Sequence, residues 1–233
     1  VVDRAPLCCG RPLYDYGYLD EAERYLRRTL SRLSPILEEG IPIVGLEPSC
    51  LAVFRDELGN LLPNDEDAKR LRGQSRVFGD FLEERSAEFR FSESKGRSPK
   101  RGGVDLHCHQ KAVLDSEPPD RILKRLGIDG ETLSTGCCGM AGSFGFESHG
   151  SHYDVSMKIA EDDLAPKLRR EEKTTWIVSD GFSCRRQIRD STGRTAIHLA
   201  EAVHRSLLGR LHDERTWKRE RKPKRKGEGP DER

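Results

Sequence analysis

Ile41-Pro42-Ile43-Val44-Gly45-Leu46-Glu47-Pro48-Ser49-Cys50 is an apolar run that breaks at a proline turn and ends in Ser-Cys. A short run rich in β-branched residues reads as a buried strand. Pro48 suits the first turn of a following helix, where its missing N–H costs nothing and its fixed φ is already helical. Leu51, Val53 and Phe54 give that helix its apolar side chains. The same design returns as Trp176-Ile177-Val178-Ser179-Asp180-Gly181-Phe182-Ser183-Cys184, 134 residues later at the cysteine. A strand, a tight turn and a helix, used twice, predict an α/β fold with mostly parallel strands.

Upstream of the first copy, Ala22, Leu26, Leu30, Leu33 and Leu37 recur in three- and four-residue steps, which predicts one helix from Leu19. Pro35 should kink its end and Gly40 should stop it. Around the second copy, strands are expected at about 104–108 and 175–180, and helices at about 119–126, 153–170 and 196–208. Residues 86–102 are polar and include a glycine pair, a linker composition. Beyond Gly209 the chain is dense in charge, including Lys218-Arg219-Glu220-Arg221-Lys222, so residues 210–233 read as a disordered tail. The expected division is therefore residues 1–85, a linker over 86–102, and a second unit over 103–209.

The cysteines reinforce the doubling. Cys8-Cys9-Gly10 recurs as Cys137-Cys138-Gly139, an offset of 129 residues, so the register drifts by only five between the two signals. Two copies of one unit are the simplest account. Cys108, within Val104-Asp105-Leu106-His107-Cys108-His109-Gln110, lies 29 residues before Cys137. Its counterpart in the first unit would fall before residue 1. The first repeat is thus expected to be truncated at its N-terminus, and the start at Val1-Val2-Asp3-Arg4, without an initiator Met, agrees with a sequence that begins partway through a larger protein.

Seven cysteines, an odd number, with no secretion signal argue against a disulfide framework. Reduced thiols in a cytoplasmic setting fit better. A net charge of +1 argues against nucleic acid as a partner, and no run of about eighteen apolar residues is present to span a membrane. The second unit supplies four thiols, Cys108, Cys137, Cys138 and Cys184, as many as an iron–sulfur cluster needs. Their predicted settings at strand ends and a helix start would bring them to one sheet edge, where a helix N-terminus favours thiolates. Gly139, Gly142 and Gly145 strip the loop after the pair of side chains, so its backbone can approach a ligand closely; a tight structural turn would need the same glycines. Zinc, with His107 and His109 beside Cys108, and plain unligated thiols stay open as alternatives. The two histidines also suit hydrogen bonding to sulfur.

Those residues together resemble the CCG (cysteine-rich) domain, named for its Cys-Cys-Gly run. The resemblance spans roughly residues 1–208, through Glu47-Pro48-Ser49-Cys50, His107-Cys108-His109-Gln110, Cys137 to Gly145, and Asp180-Gly181-Phe182-Ser183-Cys184. That domain occurs in the heterodisulfide reductase B subunit, the glycolate oxidase iron–sulfur subunit and the anaerobic glycerol-3-phosphate dehydrogenase C subunit. It also forms the C-terminal part of fused flavin and iron–sulfur enzymes resembling D-lactate and D-2-hydroxyglutarate dehydrogenases. The resemblance implies two tandem repeats and a [4Fe–4S] cluster held by Cys108, Cys137, Cys138 and Cys184, the set of the second unit, with Cys8, Cys9 and Cys50, the set of the first unit, as second-choice ligands. It implies FAD on a separate or upstream region, a flavin-binding domain or subunit and a ferredoxin-type iron–sulfur domain as partners, and a place in the cytoplasm or at the inner face of the membrane. One departure is plain: each family unit carries CxxC, and its first cysteine is Glu47 in one unit and Gly181 in the other. Heterodisulfide-reductase-like thiol chemistry, or a docking domain that is zinc-bound or metal-free, are the competing readings, and Glu47 could serve as an oxygen ligand.

Overall fold

The computed structural model describes residues 7–89, 99–114, 119–147 and 150–208. The charged tail expected at 210–233, and residues 90–98 of the expected linker, lie outside them.

A short helix α1 (Arg11–Asp15) leads into α2 (Leu19–Glu38), which buries Ala22, Leu26, Leu30 and Leu37 as the periodicity requires. Gly40, at φ +71°, ends α2. The N–H groups of Gly40 and Ile41 return to the carbonyls of Leu37 and Ile36, a Schellman closure that only a left-handed residue permits cheaply. The chain then enters β1 (Ile43–Gly45) and α3 (Pro48–Arg55), with Pro48 in the first turn and Glu47 as N-cap. Helices α4 (Glu57–Leu61) and α5 (Glu66–Gln74) follow, then β2 (Ser75–Val77), parallel to β1, and α6 (Phe78–Glu84). Leu26, Leu30, Leu37, Val53, Leu58 and Leu71 form the core of this half.

The second half is a four-stranded parallel sheet in the order β4-β3-β5-β6. It runs β3 (Arg101–Val104), a π-helical turn at Gln110–Leu114, α7 (Asp120–Arg125), β4 (Asp129–Thr132), α8 (His152–Asp162) and α9 (Leu164–Arg170). It closes with β5 (Trp176–Val178), α10 (Phe182–Thr192), β6 (Ala196–Ile197) and α11 (Leu199–Leu208). Strand alternation sorts the two faces: Val178 and Ile197 pack on α7 and α11, whereas Ile177 and Ala196 pack on α9 and α10.

Three expectations need correction. The strand placed at 104–108 ends at Val104 and begins at Arg101, so it takes in residues assigned to the linker. Gly102 and Gly103 are there because Leu123 and Leu133 press on β3: a Cβ on either glycine would lie within 3.0 Å of those side chains. The helix expected over 153–170 breaks at Asp163, whose φ and ψ of −148° and −54° are not helical. Pro166, lacking an N–H, is accommodated in the first turn of the new helix. The helix expected from 196 starts at Leu199, after β6.

Strand and helix follow one another in the same order as β1–α3 … β2–α6 and β5–α10–β6–α11, with a parallel strand pair in each. The halves touch through Leu51, Ala52 and Val77 against Leu114, and through Phe78 beside His198 at 6.4 Å between rings.

A thiol cluster at the carboxyl ends of three strands

In the second half, β3 has β4 on one side and β5 on the other, so the chain leaves it in opposite directions for its neighbours. A sheet of this kind opens a crevice at that switch point, beyond the carboxyl ends of the strands. Every cysteine of the second set stands there. Cys108 follows β3 in a helical turn, four residues past the strand's end. Cys137 and Cys138 lie in the loop after β4, and Cys184 is in the first turn of α10, after β5.

The thiols meet. Cys138 and Cys184, both buried, have their sulfurs 3.5 Å apart. Cys137, at the surface, accepts hydrogen bonds from the thiols of Cys108 and Cys138 and, at 3.3 Å, from the Gly139 N–H. Those donors pull its pKa far below that of a free thiol, while the same bonds and burial push those of Cys108 and Cys138 well up. Hydrogen-bonded thiols gathered in one place form a site in which a metal can replace their protons. The donors are soft sulfur, which suits iron–sulfur groups, zinc or copper(I). The residues therefore fit a thiolate-held metal group. His107, Cys108 and His109 also bring one ligand atom each to within 4.8 Å of one another.

Asp105, which the sequence did not single out, ties the three loops together. Its N–H bonds Val178 O at 2.8 Å, and its carboxyl accepts from Thr135 Oγ1 at 2.6 Å and from Ser179 Oγ at 3.0 Å. Burial raises its pKa. His107, 4% exposed, is held neutral, its pKa lowered to about 4 chiefly by burial and then by the neighbouring His109. An electropositive groove of about 1100 Å³ runs beside β6 and α10, with Lys173, Arg185, Arg189 and Arg194 in its walls.

The first set is less complete. Cys9 and Cys50 place their sulfurs 3.1 Å apart, and exposed Cys8 accepts from the Gly10 N–H at 3.4 Å. The hydrogen bond from Cys50 lowers the pKa of Cys9 to about 7 and raises that of Cys50. Glu47, at the departed CxxC position, makes structural hydrogen bonds. One oxygen caps α3 through Ser49, and the other accepts from the Phe182 N–H at 2.8 Å, joining the halves. Between the two sets, Arg11 pairs with buried Glu57, while Arg11 Nε, Glu57 Oε2 and His109 Nδ1 find no protein partner. These residues meet only through the fold, and no local pattern marks them.

The loop glycines serve close approach. Gly139, at φ +83°, has Ser156 O where a Cβ would go, and a Cβ on Gly145 would lie 2.5 Å from Met140 Sδ. Gly142 faces Asp15 Oδ2 at 3.2 Å by the same measure. Gly139→Ala is expected to cost about 2–4 kcal/mol, from left-handed strain plus collision with the α8 backbone. Chemical denaturation measures that loss.

No known protein-family profile matches the chain. It is similar to D-2-hydroxyglutarate dehydrogenase of Pseudomonas putida, 28% identical over 196 residues, covering 83% of this chain and 18% of that protein. It is also similar to the C subunit of the anaerobic glycerol-3-phosphate dehydrogenase of Escherichia coli, 27% identical over 207 residues, covering 84% of this chain and 49% of that protein. Lactate utilization protein A of Geobacillus thermodenitrificans is 24% identical over 216 residues, with 86% of this chain and 83% of that protein covered. Fold and site thus define a cysteine-rich α/β protein whose relatives are oxidoreductase-related. The chain spans less than a fifth of the first of these relatives and about half of the second. Among the described residues no helix is long and apolar enough to cross a membrane.

Proposed function

We propose that the chain is the iron–sulfur electron-transfer module of a flavin-linked oxidoreductase that acts on a 2-hydroxy acid. The observation that carries this reading is the convergence of Cys108, Cys137, Cys138 and Cys184 from three strand ends onto one switch point. A [4Fe–4S] cluster bound there supplies a one-electron acceptor and donor. The chain's own part is to hold the four thiolates, to donate the Gly139 N–H to Cys137, and to keep Cys138 and Cys184 from water. Cys8, Cys9 and Cys50 belong to a partial first repeat, a reading supported by the matching order β1–α3 … β2–α6 and β5–α10–β6–α11. FAD on another region or subunit is the electron source in this proposal, with a ferredoxin-type domain carrying electrons between the two; relatives named as dehydrogenases support a redox role.

The test uses the anaerobically reconstituted full chain. Dithionite should bleach its visible spectrum and ferricyanide should restore it, with iron content unchanged over the cycle. A colour that does not respond, or that disappears with the iron, contradicts electron transfer. Cys137, exposed and preferentially ionised, favours a second reading as an exchange-active thiol. Rapid alkylation of Cys137 in the reconstituted protein would support that alternative, because a bound thiolate is shielded from the reagent.

A further inference from the structure

The missing cysteine at position 181 has a structural counterpart. Gly181 stands where the CxxC pattern places its first cysteine, and a Cβ there would collide with Cδ2 of His107. The same point lies 3.1 Å from His107 Nε2 and 3.2 Å from Cys184 Sγ. The imidazole therefore occupies the space that a side chain at 181 would need, and its Nε2 and the Cys184 sulfur flank one position.

The hydrogen bonds of the ring fix its tautomer. The His109 N–H donates to His107 Nδ1 at 3.1 Å, so Nδ1 is an acceptor. The remaining proton of a neutral imidazole must then sit on Nε2. A protonated Nε2 cannot ligate a metal, but it can donate to sulfur. The Gln110 side chain accepts from the His107 N–H at 3.1 Å and anchors the residue's backbone, and the ring is almost wholly buried. Little freedom is left for the ring to turn over.

We infer that His107 replaces the absent cysteine as a positioning residue, donating Nε2–H to the Cys184 thiolate of the bound cluster and raising its reduction potential. The inference rests on the cluster reading above. Hydrogen bonds to cluster sulfur favour the reduced state, because the added electron makes the sulfur a stronger acceptor. Position 181 is glycine here because the donor on His107 needs the room.

The test has two arms on the full chain. In metal-free protein labelled with ¹⁵N-histidine, the His107 resonances, assigned by their disappearance in His107→Gln, should show the Nε2–H tautomer. An Nδ1–H tautomer overturns the inference whatever the metal content. In reconstituted protein, His107→Leu should shift the cluster potential to more negative values at unchanged iron content, and His107→Gln, whose amide can donate, should recover part of the shift. An unchanged potential in His107→Leu overturns the inference while leaving the cluster reading intact. Wild-type protein that takes up no iron defeats the cluster reading, and with it the role of His107 toward the cluster.

Discussion

Replacing Cys137 by serine is expected to remove the visible absorbance of the reconstituted chain and to bring its bound iron close to background. Cys137 is the sulfur on which the hydrogen bonds of Cys108, Cys138 and Gly139 converge, and they hold its pKa well below that of a free thiol. Serine keeps the shape, but its hydroxyl stays protonated at neutral pH and offers a hard donor where soft sulfur is wanted. Cys50→Ser is the internal comparison. It breaks the 3.1 Å contact with Cys9 but leaves the second set whole, so most of the iron should be retained. Iron and sulfide assays on the two variants separate the sets. Equal loss in both would mean that one site is built from both halves.

Asp105→Ala should have the largest effect on the fold. The carboxyl is the common acceptor for Thr135 and Ser179, all three residues being buried, and it fastens the loops that carry Cys108, Cys137 and Cys184. Removing it leaves two buried hydroxyls without that acceptor, a loss of about 2–4 kcal/mol. Iron uptake should fall as well, because the loops lose their shared anchor. Asp105→Asn keeps the shape and one acceptor, so it should cost less. The pH dependence carries a sign. Burial raises the native pKa above the ordinary 3.8, so the native state keeps a proton that the unfolded chain has released. Stability from this group therefore falls as pH rises from 3.8 through the raised native value, and Asp105→Asn should flatten that slope. Urea unfolding midpoints across the acidic range measure it.

What the sequence disclosed, and what it hid, follows from the range of the forces involved. Helix α2 was legible because Ala22, Leu26, Leu30 and Leu37 are buried on one face, and its end because Gly40 takes a left-handed turn. β1 and β5 were legible as apolar runs ending at Ser-Cys turns. β3 was placed too late in the chain, because Gly102 and Gly103 look like linker until Leu123 and Leu133 are seen pressing on them. β4 was missed for a related reason: Asp129-Gly130-Glu131-Thr132 is an edge strand with exposed charges, and Gly130 accommodates the Asp120 carbonyl. The break at Asp163 carried a local mark, because Pro166 fits only the first turn of a helix; the Asp163 carboxylate also accepts from the Gly136 N–H, 27 residues away.

The candidate site divides the same way. The recurrence of Cys-Cys-Gly and Ser-Cys identified the thiols, and the structure brings four of them together at the switch point. Asp105, Arg11 and Glu57 carried no local mark. Their roles arise from neighbours 30 to 74 residues away for Asp105, and 46 residues away for the Arg11–Glu57 pair. His107 was read beside Cys108 as a candidate zinc ligand or a donor to sulfur, and its relation to Gly181 exists only across the sheet.

Iron, acid-labile sulfide and zinc per chain, measured together after anaerobic reconstitution, test the central claim most directly. The account predicts iron and sulfide in near-equal amounts, about four of each per chain, with zinc near background. Zinc in place of iron, or a colourless chain without either, would contradict it.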